Sequence, residues 1–543
     1  MSPFTYYLLV ITFSCIPLIS FFLTNFLPHT HDGAMHLARI AAYYKALGDG
    51  QFPIRWAGDL NYGYGLPLFN FIYQVPYFIS SIFIFLGLGL VNAFKVTLVL
   101  SFLLSGIFMF GFSLSFFKDL KKALLVTLFY QFFPFRLIEI LTRGSFGEVY
   151  AYAFFPLALW GIVLLFEKVN FKNILITSIG TALLILSHNA LSLVFFIIAV
   201  IFILFFAGKP KNYRYPFFAF FLGLLLASFY WIPAIFEHHY TYGDLFMKDL
   251  YKTHFPPFVN FFIPNFFNNP SLHTGGISIQ FGLIHTLVFV LGLFVLFFKK
   301  DISRLDRKVI LFCIVIFSIA LFLMQPISKI LWENLPLLRQ FQFSWRLLSV
   351  VGVAMTLISI SIFYFDFFKK KSVYYLLIIL LVASTIYYWK PVLGWDKIDE
   401  NYYWNFPLTS TYFGETDLIW SEGPAKKYPK ARVEVIDGKG SAKQIIKKSN
   451  LLTFKFNNQT PIKVVAHIQY FPGWRAFVDD KQVPIEFQYG IYRGHIVFQI
   501  PKGEHNVRLS FGESKLRYIA DSLTIGSFAI LVLWGISRFI KKR

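Results

Sequence analysis

Long apolar runs separated by short charged connections dominate this chain. Most of the runs hold 16 to 25 residues, enough for a helix to cross the ~30 Å hydrocarbon core of a membrane. The first covers 4–27, and eleven more follow it, at 94–117, 123–141, 150–166, 173–187, 190–207, 215–235, 279–298, 309–324, 346–366, 373–390 and 519–538. The pattern predicts an α-helical polytopic membrane protein with about 12–13 transmembrane helices. The shorter run 77–90 is expected to lie along the interface or to re-enter.

Charged residues are few, and their positions predict an orientation. Only 14% of the residues are charged and 57% are hydrophobic, which excludes a soluble globular protein. Basic clusters occupy short connections, at 118–122, 209–214, 299–308, 369–371 and 538–543. The positive-inside rule places these connections and both termini in the cytoplasm, and the protein in the cell membrane. Because the basic excess is not gathered in one folded domain, no nucleic-acid partner is predicted.

This orientation divides the chain into three parts. Residues 1–390 form a multi-span domain, whose predicted external loops are 28–93, 142–149 and 236–278. Residues 391–518 form an extracytoplasmic domain, in which short alternating strands from residue 430 onward are separated by turns such as Asp437-Gly438 and Lys502-Gly503. That pattern predicts a small β-sandwich. Residues 519–543 form a C-terminal transmembrane helix and a basic cytoplasmic tail.

The first external loop begins with a candidate catalytic carboxylate. Asp32 precedes a helix-compatible run that ends at Gly48. His36, Arg39 and Tyr43 follow Asp32 at helical spacings, so all four share one face at the membrane boundary. Asp32 is a candidate general base beside cations that hold a phosphate. The alternative is an N-cap aspartate with a solvated helix face.

Two turns between later spans carry further candidates. Arg143 and Glu148 flank a Gly-Ser-Phe-Gly turn at the same external level as Asp32, and ionisable residues at this depth are functional candidates. The alternative is an ion pair that fixes the turn. His188 lies between two apolar runs, where a histidine more often caps a helix than binds a ligand.

A third candidate site lies at the mouth of a later span. Arg339 and Arg346 are seven residues apart, so on a continuous helix both guanidinium groups face one groove and can bind a lipid phosphate. The alternative is snorkelling toward headgroups. The sequence contains no Walker loop, HExxH or CxxC motif, so nucleotide-driven pumping and zinc hydrolysis have no support, and no resident metal site is predicted.

Several motifs carry a resemblance to a known family. The segments "HDGAMHLARI", "FPIRWAGDLNYGYGLPLFNF", "RGSFGEVYAYAFFPLALW", "SHNALS" and "RQFQFSWRLLSV" resemble bacterial membrane proteins with the 6-pyruvoyl-tetrahydropterin synthase-related domain. These are relatives of YfhO-like proteins and, more distantly, of GT-C glycosyltransferases. The tail "YFPGWRAFVDDKQVPI" resembles the C-terminal β-domain of YfhO-like proteins. The resemblance does not imply pterin chemistry, because the chain lacks the zinc-binding histidine cluster which that soluble enzyme needs.

The resemblance implies a GT-C glycosyltransferase that takes a sugar from a polyprenyl-phosphate donor on the extracytoplasmic face. Asp32 occupies the position of the family's base, and Glu148 is the nearest match to its second acidic site. The implied substrate-binding residues are His36, Arg39, Arg143, His188, Arg339 and Arg346. The implied partners are the lipid-linked sugar, membrane lipids and an envelope glycan, lipid or protein acceptor. Gly33 follows Asp32 where relatives carry a second acid, so no cofactor is assigned, although a divalent metal remains possible.

Two other functions stay open at this point. A transporter of lipid-linked glycans predicts charges in mid-span and broken helices. A non-catalytic envelope scaffold predicts that Asp32→Asn is silent and that deletion of 391–518 is not.

Overall fold

A bundle of helices forms most of the computed structural model, which describes residues 2–208, 212–243, 245, 248–406 and 414–540. The predicted basic clusters at 209–214 and 538–543 lie partly outside these residues. The longer helices are Pro3–Cys15 with its 3₁₀ continuation Ile16–Phe22, Gly33–Gly48, Val75–Phe85, Leu90–Phe117, Leu120–Gln131, Glu148–Glu167, Phe171–Ile185, Asn189–Phe206, Arg214–Leu226, Ser228–Phe236, Leu283–Phe298, Arg304–Leu323, Leu348–Leu357, Lys371–Ala383 and Lys515–Ile540.

The helices are those of a multi-pass membrane protein. Within the described residues, six helices are long and apolar enough to cross a membrane, or up to nine if each of three bent pairs counts as one span. Four shorter apolar helices accompany them, and three of these coincide with predicted spans. The fourth, Val75–Phe85, has 11 residues and a length of only ~16 Å, too short to cross directly. The predicted polytopic helical architecture is therefore confirmed.

Bends interrupt two of the predicted spans, 123–141 and 215–235, and a third bend lies at the end of the span 309–324. Leu120–Gln131 and Pro134–Arg143 meet at 49°, Arg214–Leu226 and Ser228–Phe236 at 70°, and Arg304–Leu323 and Pro326–Asn334 at 82°. The first and third bends lie where a proline begins the next helix, and proline cannot donate the hydrogen bond that would continue the preceding helix. The first bend brings the chain to a π-helical turn, Glu139–Arg143, that ends at Gly144.

The C-terminal part contains a sandwich of two antiparallel sheets. Its strands are β1 Val433–Asp437, β2 Ala442–Lys448, β3 Leu451–Asn458, β4 Ile462–Gln469, β5 Trp474–Val478, β6 Lys481–Val483, β7 His495–Ile500 and β8 Gly503–Phe511. One sheet has the order β6-β5-β8-β3-β2 and the other β7-β4-β1. Side chains from both sheets share one core, including Phe454, Val464, Phe498 and Leu509. The predicted β-sandwich is therefore confirmed.

Strand β2 is not expected from the sequence. It lies at the edge of its sheet, and four consecutive residues, 443–446, are exposed. An edge strand that is open to solvent on both faces needs no alternation of polar and apolar residues, so the period-two signal is missing.

The β-sandwich is docked on the bundle through the segment 49–66. The indole of Trp56 is buried and meets that of Trp474 edge-on at 5.5 Å between ring centroids. The guanidinium of buried Arg55 donates to Asp521 at 2.7 Å and to Glu513 at 2.9 Å. A Cβ at Gly58 would lie 2.4 Å from the carbonyl oxygen of Ser449, so only glycine allows this approach. The segment that follows the helix Gly33–Gly48 therefore connects the bundle to the sandwich.

Candidate functional site

A cavity of about 400 Å³ opens where the bundle, the loop 236–278 and the linker to the β-sandwich meet. Seven of the eight residues selected from the sequence line it: Asp32, His36, Arg39, Arg143, Glu148, His188 and Arg346. They come from the start of the helix Gly33–Gly48 and from three separate turns. We call this space the junction cavity.

Asp32 reaches the cavity because its backbone pairs with the turn after the bent span. The amides of His31 and Asp32 donate to the carbonyl oxygens of Thr142 at 3.1 Å and Arg143 at 2.9 Å. Gly144 has φ +65°, and a Cβ there would lie 2.3 Å from Oγ1 of Thr30, so the contact requires glycine. The two loops that carry Asp32 and Arg143 are thereby held together.

Asp32 stands at the N-cap position of the helix Gly33–Gly48, but its side chain does not cap the helix. The amide of Gly33 donates instead to Oγ1 of Thr30 at 3.1 Å. The Asp32 carboxylate is half-buried and accepts no hydrogen bond from the residues that the structure describes. The capping alternative therefore does not account for this carboxylate.

Three buried charged residues, Arg143, Glu148 and Arg346, line one wall of the junction cavity, and buried Glu139 pairs with Arg143. Nη1 of Arg143 donates to both oxygens of Glu139 at 2.7 and 2.8 Å and to Oε1 of Glu148 at 2.9 Å. Nε of Arg346 donates to the same Glu148 oxygen at 2.9 Å. Glu148 thus bridges two guanidinium groups, and the pair of Glu148 and Arg346 joins residues that are 198 positions apart in the chain. This arrangement goes beyond a local pair that fixes the turn.

Both guanidinium groups keep donors for a ligand. Arg143 lies over the ring of Trp345 at 4.8 Å and Arg346 over that of Phe343 at 5.1 Å, which fixes their planes. Nη1 of Arg346 donates to the carbonyl of Phe341 at 2.7 Å. Among the described residues, Nη2 of neither arginine has a hydrogen-bond partner. Two guanidinium groups with open donors are suited to an anion such as a phosphate.

Burial keeps two histidines of the junction cavity, His36 and His188, uncharged at neutral pH. His36 is buried against Tyr77, its Nδ1 2.9 Å from the hydroxyl, and burial lowers its pKa well below the usual range. Burial lowers the pKa of His188 to about 3. Nδ1 of His188 accepts from the amide of Leu191 at 3.1 Å, so His188 both caps the helix Asn189–Phe206 and lines the cavity.

Arg339, the eighth residue selected from the sequence, does not line the junction cavity. Its Nε donates to the carbonyl of Trp332 at 3.1 Å and its Nη2 to that of Glu333. The helix Pro336–Arg339 ends at this residue, and Gln342 has φ +62° before the next helical turn begins at Ser344. Seven residues therefore do not span two turns of one helix here, and Arg339 and Arg346 do not share a groove.

Glu415 is a cavity residue that sequence reasoning missed. It lines the junction cavity from the linker that precedes the β-sandwich. Its local sequence, "GETDLIW", has no periodicity that places it near Asp32. The cavity also contains Tyr73 and Trp345, which are indistinguishable in the sequence from the many other aromatic residues.

Replacing Asp417, two residues further on, by asparagine is expected to stabilise the protein at high pH. Burial, with Glu415 adding to it, raises the pKa of the Asp417 carboxyl to about 7, whereas an unfolded aspartate titrates near 3.9. The folded state holds the proton more tightly, so stability falls as pH rises from about 4 to 7. The variant should therefore gain stability relative to wild type as the pH rises from 5 to 8. We expect a gain of roughly 1–3 kcal/mol in the free energy of unfolding, seen as a higher melting temperature of Asp417→Asn relative to wild type at pH 8 than at pH 5.

Thermal unfolding of detergent-solubilised protein at the two pH values measures this difference. Asp437→Asn, at the exposed end of strand β1, is the matched control and should show the same difference from wild type at both pH values. If the melting temperatures of Asp417→Asn and wild type differ by the same amount at both pH values, the pKa of Asp417 is not raised in the folded protein.

No ready ligand set for a metal ion is found in the described part of the chain. No group of three or more His, Cys, Asp or Glu side chains there could hold a metal ion. The divalent metal that the sequence leaves possible is therefore not assigned to any residue.

Comparisons with known proteins give one family and two partial likenesses. Residues 69–392 match the family model described as the 6-pyruvoyl-tetrahydropterin synthase related domain, a membrane protein. An uncharacterized protein of Lactococcus lactis subsp. cremoris (strain MG1363) is 26% identical over 216 residues, which are 39% of this chain and 35% of that protein. The cryo-EM structure of the arabinofuranosyltransferase AftD from Mycobacteria has a TM-score of 0.40 and 18% identity, covering 71% of this chain and 26% of AftD.

The alignment spans about a third of the length of the Lactococcus protein and about a quarter of AftD. The matched family range contains Arg143, Glu148, His188 and Arg346, and it begins after Asp32. Because this range covers more than half of the 543 residues, the chain belongs to the family of membrane proteins with the 6-pyruvoyl-tetrahydropterin synthase related domain.

Proposed function

We propose that the protein is a membrane glycosyltransferase that moves a sugar from a polyprenyl-phosphate donor to a cell-envelope acceptor. The acceptor is a glycan, lipid or protein on the extracytoplasmic face, and Asp32 is the base. One observation carries the proposal: a carboxylate with no hydrogen-bond donor among the described residues shares a cavity with two guanidinium groups that have open donors. This is the pairing of base and phosphate site that the resemblance to GT-C enzymes leads us to expect.

The reaction needs both halves of this pairing. A hydroxyl oxygen of the acceptor forms the new bond to the anomeric carbon of the sugar as the bond from that carbon to the phosphate oxygen breaks. The hydroxyl proton goes to Asp32. The electron pair of the broken bond stays on the polyprenyl phosphate, where Arg143 and Arg346 stabilise the added charge. Glu148 orients both arginines and acts as a positioning residue.

The proposal places the junction cavity outside the cytoplasm, with both termini inside, and cysteine labelling tests this. Phe52, in the docking segment, is 80% exposed. In a chain with Cys15→Ala and Cys313→Ala, Phe52→Cys is expected to react with a membrane-impermeant maleimide in intact cells.

Lys168→Cys is the matched control for the labelling. Lys168 is exposed and follows the helix Glu148–Glu167, which begins at the cavity and leads to the opposite membrane face. It should react only after the membrane is permeabilised. The reverse pattern would place Asp32 in the cytoplasm, away from sugars displayed on the outer face, and would overturn the proposal.

A transporter of lipid-linked glycans is the second candidate, and the helix breaks favour it. The three bent pairs resemble the broken helices that are typical of transporters. Arg136, Glu139 and Arg143 all lie in the second half of one pair. A transporter would move polyprenyl-phosphate sugar between the leaflets of a liposome without any acceptor. A transferase would leave the leaflet distribution unchanged.

A further inference from the structure

The linker between the bundle and the β-sandwich brings a carboxylate into the junction cavity. Glu415 lines the cavity together with Asp32 and Arg39. Burial lowers the pKa of Arg39, but nearby Tyr77, Tyr73 and Glu415 raise it, and the net shift is upward. Glu415 therefore acts electrostatically on a cation of the same cavity.

Glu415 is held in place by both parts of the protein. Leu418, three residues further on, is fully buried in the core of the β-sandwich. It also pairs antiparallel with Thr241, in the loop after the helix Ser228–Phe236. The amide of Tyr242 donates to the carbonyl of Asp417 at 3.0 Å. Contacts with both the sandwich and this loop therefore hold the segment that carries Glu415 at the cavity.

A glycine permits this close approach. A Cβ at Gly243 would lie 3.0 Å from the carbonyl oxygen of Glu415 and 2.6 Å from Nε2 of His238. A side chain at 243 would displace the ring of His238 and crowd the backbone of Glu415. The backbone at Glu415 therefore packs closely against the loop that contains Gly243.

The residues beside Glu415 carry buried polar atoms that no described residue satisfies. Oγ1 of Thr416 and Oδ1 of Asp417 are buried and have no hydrogen-bond partner within the described residues. Most buried polar atoms in folded proteins have such a partner. Within the described residues, hydrogen bonds between the bundle and the sandwich do not account for the polarity of this segment.

We propose that Glu415, with Arg39, binds the hydroxyl groups of the donor sugar and so selects it. This inference rests on the proposed glycosyltransferase function. A carboxylate accepts hydrogen bonds from hydroxyl groups, and a guanidinium donates them, so the pair matches the two capacities of a sugar hydroxyl. The sugar is joined to the phosphate that Arg143 and Arg346 hold, and the rest of the same cavity receives it. Glu415 makes and breaks no bond.

The test compares binding of two lipids by the full-length protein in nanodiscs. The probes are sugar-free polyprenyl phosphate and a panel of polyprenyl-phosphate hexoses and pentoses, measured by native mass spectrometry. We expect wild type to bind one glycosylated lipid at least tenfold more tightly than the sugar-free lipid. Glu415→Gln should lose that preference and keep its affinity for the sugar-free lipid. Glu422→Gln, an exposed glutamate of the same linker, is the control and should behave as wild type.

The remaining outcomes of this experiment each contradict one of the two proposals. A preference that survives in Glu415→Gln, or no preference in wild type, overturns the assignment of Glu415 while phosphate binding stands. If Glu415→Gln loses affinity for both lipids equally, at an unchanged melting temperature, Glu415 acts at the phosphate. That result also overturns its assignment to the sugar. Failure of wild type to bind either lipid overturns the proposed function itself.

Discussion

Asp32→Asn is expected to reduce sugar transfer roughly 100- to 10,000-fold with little change in stability. The carboxylate accepts no hydrogen bond from the described residues, so asparagine removes no packing or pairing. It does remove the oxygen that takes the proton of the acceptor hydroxyl in the proposed reaction. The readout is the envelope glycan profile of a deletion strain complemented with either form of the gene. Loss of transfer changes this profile regardless of which envelope molecule accepts the sugar, so the acceptor need not be known in advance.

Asp49→Asn is the matched control for Asp32→Asn. Asp49 caps the other end of the same helix, and its carboxylate accepts from the amide of Ser449 at 2.6 Å, a bond that asparagine can also accept. This variant should restore the wild-type glycan profile. If Asp32→Asn restores it equally, Asp32 is not the base. A silent Asp32→Asn together with an inactive deletion of 391–518 would favour the scaffold.

The spans are the part of the fold that the sequence determines most directly. A run of apolar residues must form helix inside a membrane, because a backbone without water has to satisfy its own hydrogen bonds. The helices Leu90–Phe117 and Glu148–Glu167 accordingly lie where the runs 94–117 and 150–166 predict them. The angles between consecutive helices depend instead on packing, and the 49° bend before Pro134 is not visible in hydropathy.

Local spacing predicted part of the junction cavity and failed where the helix was interrupted. The helix Gly33–Gly48 is continuous, so Asp32, His36 and Arg39 share one face as the spacing predicts. Gln342 interrupts the helix between Arg339 and Arg346, and that spacing rule therefore fails. The contact of Arg346 with Glu148 joins residues from distant parts of the chain, and no local pattern encodes such a contact.

Arg346→Gln is expected to weaken binding of sugar-free polyprenyl phosphate and to reduce transfer roughly 100- to 1,000-fold. The variant removes one of two guanidinium groups with open donors, and with it part of the positive charge that stabilises the leaving phosphate in the proposed reaction. It also leaves Glu148, which is fully buried, with one cation fewer. Loss of one partner of a buried ion pair costs about 3–5 kcal/mol. We therefore expect the melting temperature to fall as well.

Arg339→Gln separates the two effects from a general loss of positive charge. Arg339 lies on the same stretch of chain, outside the junction cavity, and donates to backbone carbonyls, so its replacement should change neither binding nor transfer. Arg346→Lys keeps the charge but not the forked geometry. It should recover part of the stability and little of the phosphate affinity, since lysine cannot donate to Glu148 and a phosphate in two fixed directions. Full recovery of affinity in Arg346→Lys, or equal losses in Arg339→Gln and Arg346→Gln, would show that Arg346 supplies only charge and that the phosphate binds elsewhere.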